Sequence, residues 1–153
     1  MKSIKSKQTF WLSGFLLLSV SLSPLMAKEP PKGDLIVGIS GFSSDAGKAM
    51  LALVNSIEQY EARKGDAEPL QGISLPIEDG RVSHRFRAIP YGEYAIKVFH
   101  DENSNGELDI NFIGIPKEDY GFSNNARALG IPNYDEVTFS INSAHSEISI
   151  AVE

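Results

Sequence analysis

Period-two alternation of apolar and polar side chains, in short runs broken by turn residues, is the feature that most narrows the folds open to this chain. Leu35, Val37 and Ile39 alternate with Ile36, Gly38 and Ser40. Val82, His84, Phe86 and Ala88 share one face of the run from Arg81 to Ile89, and Arg81, Ser83, Arg85 and Arg87 share the other. Successive side chains of an extended strand point to opposite faces, so such a run is held in register when one face is buried. Further strands are predicted over residues 72–77, 94–100, 137–141 and 148–152, with Glu78-Asp79-Gly80 as a tight hairpin turn into the Arg81 run. Residues 48–61 are less regular. Met50, Leu53, Val54 and Ile57 fall at helical spacing, but the short apolar run from Ala49 to Val54 suits a buried strand. We read it as a strand from Lys48 to Asn55, followed by a loop or short helix through Tyr60. Seven short strands and no strong helix predict an all-β fold, an antiparallel β-sandwich of two sheets.

The start of the chain has a different composition. Lys2, Lys5 and Lys7 precede the apolar run FWLSGFLLLSVSL, Phe10 to Leu22, which is too short to span a bilayer as a helix and has the length of an export-signal core. Pro24 ends it, and Ala27 offers a small residue before Lys28, although Leu25 is large for its place in a cleavage site. The expected organisation is a signal peptide at 1–27, a flexible proline-rich lead at 28–33 and one β-sandwich domain at 34–153. Periplasm is the preferred address over full secretion.

The whole chain carries a formal charge of −6. Loss of three signal lysines leaves 11 basic and 20 acidic side chains, which argues against nucleic acid as a partner. No cysteine is present, which removes disulfides, thiolate chemistry, Cys-ligated metal and a lipoprotein anchor. Nothing after the signal suggests membrane insertion.

The long stretch 101–135 lacks either period and is rich in Asn, Gly and Pro; a loop of this length in a compact domain is expected to be ordered and functional, or disordered. Its apolar residues Phe112, Ile113, Ile115, Tyr120, Phe122 and Ile131 are expected to pack it onto the body. At its start, HDENSNGELD places Asp101, Asn103, Asn105, Gly106 and Asp109 at positions one, three, five, six and nine of a calcium loop, with Glu107 at seven. Position twelve is Phe112, where a bidentate Glu would close the shell. Glu102, Glu118 and Asp119 are nearby carboxylates that could substitute. The pattern reads either as a weak calcium site, binding at roughly 0.1–1 mM, or as an Asx-rich turn whose side-chain oxygens bond their own backbone.

The segment YAIKVFHDENSNGELDINFIGIPKEDYGFSNNA, Tyr94 to Ala126, resembles the signature of a bacterial secreted family catalogued as domain of unknown function 2141. Looser similarity covers the rest of the chain after the signal. Asp119 stands where many relatives have Gly, and Gly130-Ile131-Pro132 replaces a more usual Gly-Pro-Pro. The resemblance implies a transthyretin-like or immunoglobulin-like sandwich and carries no reaction and no catalytic residues.

The leading functional expectation is therefore a non-enzymatic module. Tyr91, Tyr120, Phe122 and Tyr134, taken as exposed around Asn124 and Asn125, form a candidate platform for a sugar, a peptide or a partner protein; alternatively these rings pin the loop to the body. Arg81, Arg85 and Arg87 make a basic strand face that could meet an acidic partner. The rival class is a periplasmic hydrolase of transthyretin-like fold. Ser123, His100 and Asp101 are its only imaginable triad, and neighbours on a strand point to opposite faces, which places Asp101 badly for orienting His100.

Overall fold

The computed structural model describes residues 28–62, 65–127 and 130–153. The signal-peptide expectation for residues 1–27 lies outside them. Among the described residues eight strands form two sheets: β1 Lys32–Ser40, β2 Lys48–Val54, β3 Gln71–Leu75, β4 Arg81–Pro90, β5 Gly92–Asp101, β6 Tyr120–Phe122, β7 Phe139–Ile141 and β8 His145–Ala151. Two short helices, α1 Ile57–Glu61 and α2 Tyr134–Val137, and a 3-10 turn at Ser123–Asn125 complete the elements. One sheet has the order β4-β1-β8 and the other β3-β2-β5-β6, with β7 also pairing with β5.

The alternation in β1 puts Leu35, Val37 and Ile39 inward. They share one apolar core with Val82, Phe86 and Ile89 of β4, Ile150 of β8, and Leu51, Leu53, Ile96 and Val98 of the facing sheet. Burial of both inner faces in one cluster makes this a two-sheet sandwich. A second, smaller cluster of Val54, Tyr60, Ala95, Phe122 and Val137 brings together β2, β5, β6, α1 and α2. β2 and β5 thus contribute to both clusters, with Val54 and Ala95 reaching the second.

Four features depart from the sequence reading. β1 pairs with β8 in parallel, Asp34 opposite His145 through Ser40 opposite Ala151, so its sheet is mixed rather than purely antiparallel. Glu78-Asp79-Gly80 does turn the chain, with φ of 52° at Asp79 and 66° at Gly80 and reciprocal bonds between Glu78 and Arg81. The strands on either side, β3 and β4, belong to different sheets, so the turn is a crossover and not a hairpin. The alternation in β4 also slips at its end: Ala88 is exposed and Ile89 is buried. A bulge between Gly33 and Leu35 of the β1–β4 ladder accounts for it, with Ala88 at φ 52° and its N–H donated to the Asp34 carboxylate at 3.0 Å. Finally, β6 lies inside the stretch read as lacking either period, and α2 begins there and takes Val137 out of the strand predicted over 137–141, which starts instead at Phe139.

Candidate functional site

The Asn-rich segment leaves the end of β5 at Asp101, which is only 3% exposed. One Asp101 oxygen accepts the Asn105 N–H at 2.9 Å and the other accepts the Gly106 N–H at 2.9 Å. Ser104 at φ 60° and Gly106 at φ 77° give the chain the curl that brings those donors round. Asn103 Oδ1 accepts the Asn105 N–H at 3.0 Å, and Asn105 Oδ1 accepts the Glu107 N–H at 2.8 Å. The two amide nitrogens converge on Asp109, donating at 2.8 and 3.1 Å. Glu107 is exposed at the rim.

Glu118 returns to this turn from the far side of the segment. It is buried, and its two oxygens accept the N–H groups of Glu102 at 3.0 Å and Asp109 at 2.8 Å. His100 is fully buried; its Nε2 lies 2.7 Å from the Ala46 carbonyl and its Nδ1 3.4 Å from Asp119 Oδ2. Asp119 in turn accepts the Ser43 N–H at 2.7 Å. Burial pushes the Asp119 carboxyl up, but hydrogen bonds from Ser43 and the adjacent His100 ring outweigh it and hold the group below its ordinary value.

The five residues read as calcium ligands do lie in one turn. Asp101, Asn103, Asn105 and Asp109 point their oxygens at backbone N–H groups and at each other's amides, the arrangement of an Asx-rich turn. Among the described residues no three of His, Cys, Asp and Glu are grouped so that they could hold a metal ion. A calcium ion here would have to displace several of those bonds.

The ligand platform is rearranged more severely. Phe122, which a ligand platform would need exposed, is 8% exposed and packs edge-on against Tyr60, as the pinning alternative expects. Asn124 donates to the carbonyls of Glu136 and Thr138, and Asn125 exchanges bonds with Ser149 and Ala151 at the edge of β8. Tyr120 is half-buried beside Phe122. Beside Tyr120, Phe122 and Asn125 a cleft of about 40 Å³ remains, space for a few waters and far below the ~300 Å³ at which small-molecule pockets begin. These residues tie β6 to α2 and β8, because their polar groups find partners in the backbone.

Ser123 is buried, accepts the Ile96 N–H at 2.9 Å and donates to the Val137 carbonyl. His100 faces Ala46 and Asp119 instead, so the two share no hydrogen-bond network.

The feature that sequence reasoning missed is the tip between the two carboxylates, INFIGIP. Ile110 and Pro116 form an isolated bridge at its base. Asn111 Oδ1 accepts the N–H groups of Ile113 and Ile115, both at 3.0 Å, and Gly114, at φ 82°, donates to the Asn111 carbonyl. The backbone bonds are thus satisfied internally and the side chains point out. Phe112 is 98% exposed, Ile113 63%, Ile110 57% and Ile115 53%. The expectation that Phe112, Ile113 and Ile115 pack on the body is corrected, as is that for Ile131 at 75% exposure; Tyr120 and Phe122 alone pack as expected. Asn111 and Gly114, two turn-formers within an apolar run, were the signal available in the sequence.

The family described as "Uncharacterized protein conserved in bacteria (DUF2141)" matches residues 37–149. The chain belongs to this family. Its span in the family runs from β1 to β8 and includes the whole Asn-rich segment and the apolar tip. No curated protein and no solved structure matches the chain.

Proposed function

We propose that this chain is an exported, non-enzymatic interaction module that engages a partner protein through the loop at 110–115. The observation that carries the reading is Phe112, held 98% exposed on a loop whose backbone is fixed by Asn111. An isolated exposed hydrophobe is ordinary; four large ones on one short, ordered loop mark a recognition surface. Pre-ordering by the Asn111 side chain lowers the entropy cost of binding. Export is supported by the three lysines and the apolar run ahead of Lys28, with the periplasm as the preferred address. Among the described residues no helix is long and apolar enough to cross a membrane. Calcium is not required for this reading, because the turn beneath the loop closes with its own hydrogen bonds.

The test is photo-crosslinking in the producing bacterium from a reactive side chain at position 112, with exposed position 58 on α1 as control. A discrete protein adduct from 112 that is absent from 58 is expected. Labelling of lipid only, no adduct, or identical adducts from both positions would overturn the proposal.

A further inference from the structure

The apolar loop stands on an acidic base, and the same chain carries exposed arginines on a separate sheet face. Between residues 101 and 119 there are six carboxylates, Asp101, Glu102, Glu107, Asp109, Glu118 and Asp119, against one lysine, Lys117. Glu102 and Glu107 are exposed and Asp109 is half-buried. An anionic lipid surface would be repelled by this base, and a basic protein surface attracted.

Three of the five arginines of the chain, Arg81, Arg85 and Arg87, lie exposed on β4. Arg81 and Arg85 flank the outward face of the three-stranded sheet, whose central residues are Ile36, Gly38 and Ser40 of β1. Gly38 sits between Ser83 and Ser149, and a Cβ placed on it would meet nothing within 4 Å. The absence of a side chain there leaves a shallow, wide-open trough of about 590 Å³, lined by Gly38, Ser40, Glu78, Arg81, Ser83 and Ser149. Half-buried Ile36 lies beside it on the same face, between Arg85 and Glu147, and the Arg85 guanidinium is 3.9 Å from the Asp34 carboxylate.

We infer that the loop at 110–115 of one copy docks in the outer trough of the β4-β1-β8 sheet of a second copy. This rests on the proposed role of the loop and names its partner. Phe112 enters over Gly38, where nothing blocks it, with the Arg81 and Arg85 guanidiniums against its ring face. The acids at the base of the loop then meet the arginines at the rim of the trough. Loop and trough are different surfaces, so the contact is heterologous: a dimer still offers one free loop and one free trough, and assembly continues past it into a ring or a chain. A contact made by one loop is at the small end of interface sizes, so association is weak and salt-sensitive.

The experiment is sedimentation velocity on the exported chain from tens of micromolar to millimolar. The expected result is a weight-average mass that rises past twice the monomer with concentration and falls back in high salt. Phe112→Ser, and separately Arg81→Ser with Arg85→Ser, should each give a monomer with an unchanged melting temperature, since all three side chains are outside the core. A mixture of the two variants restores one intact loop and one intact trough, and should form a dimer that grows no further. A wild-type monomer throughout, growth indifferent to the arginine changes, or a mixture that stays monomeric overturns the inference. A wild-type monomer that still crosslinks from position 112 to another protein would overturn self-docking alone. Absence of any adduct would remove the recognition loop as well.

Discussion

Glu118 reaches back across nine residues to Asp109, its Oε2 accepting the Asp109 N–H at 2.8 Å and so closing the base of the apolar loop. Its other oxygen accepts the Glu102 N–H at 3.0 Å, in a side chain only 7% exposed in total. Glu118→Ala would strand both donors. A fully buried donor left unpaired costs about 1–3 kcal/mol; these two are only partly buried and water can reach them, so a loss of about 2 kcal/mol is expected in urea unfolding. Glu118→Gln, which keeps one good acceptor, should lose less. An alanine variant as stable as the parent would show that the loop does not depend on this clamp.

Ala88 sits at φ 52°, where a Cβ costs about 1–2 kcal/mol and glycine is at ease. Ala88→Gly is therefore expected to stabilise the domain by about 1 kcal/mol, a rise of roughly 4 °C in melting temperature. Asp34→Ala, which removes the acceptor for the Ala88 N–H, should move stability the other way. A glycine variant that melts lower would mean that the bulge is not under strain.

Asp119 contributes a pH dependence with a definite sign. Its folded value lies below the unfolded one, so its share of stability is complete above about pH 4 and drains away as the pH falls through the folded value. Asp119→Asn should flatten the acid limb of the stability curve below about pH 4 while lowering stability near neutrality. The measurement is urea unfolding across that range; parallel curves for the two proteins would contradict it.

Calcium provides a fourth test. A site with a dissociation constant of about 1 mM would gain about 1 kcal/mol at about 5 mM calcium. Since both Asp101 oxygens already accept backbone N–H groups, we expect a shift in melting temperature below about 1 °C. A chelator-reversible rise of several degrees that Asp101→Ala removes would establish an ion in this turn.

Much of the sandwich could be read from residue patterns, and its exceptions have separate physical causes. Leu35, Val37 and Ile39 marked β1, and Val82 and Phe86 marked β4, because each strand has one dry face. The slip at Ala88 was hidden, since alanine suits either face and a bulge is a property of two strands together. β6 is three residues long, too short to display a period. The site divides the same way. Asp101, Asn103, Asn105 and Asp109 were found together because the curl of the loop is local, whereas the burial of Phe122 depends on Tyr60 and Val137, which no local pattern connects. Phe112 and Ile113 point outward because the turn chemistry of Asn111 outweighs their hydrophobicity in setting the path of the loop.

The parallel pairing of β1 with β8 bears on how the chain matures. β1 is the middle strand of its sheet, and one of its two neighbours is encoded about 110 residues later. Until that last strand is delivered, β1 presents a bare hydrogen-bonding edge, and closing so distant a contact is slow. Assembly of this domain is thus gated by the arrival of residues 145–151. A chain ending before His145 would keep that edge of β1 unpaired and open to other strands.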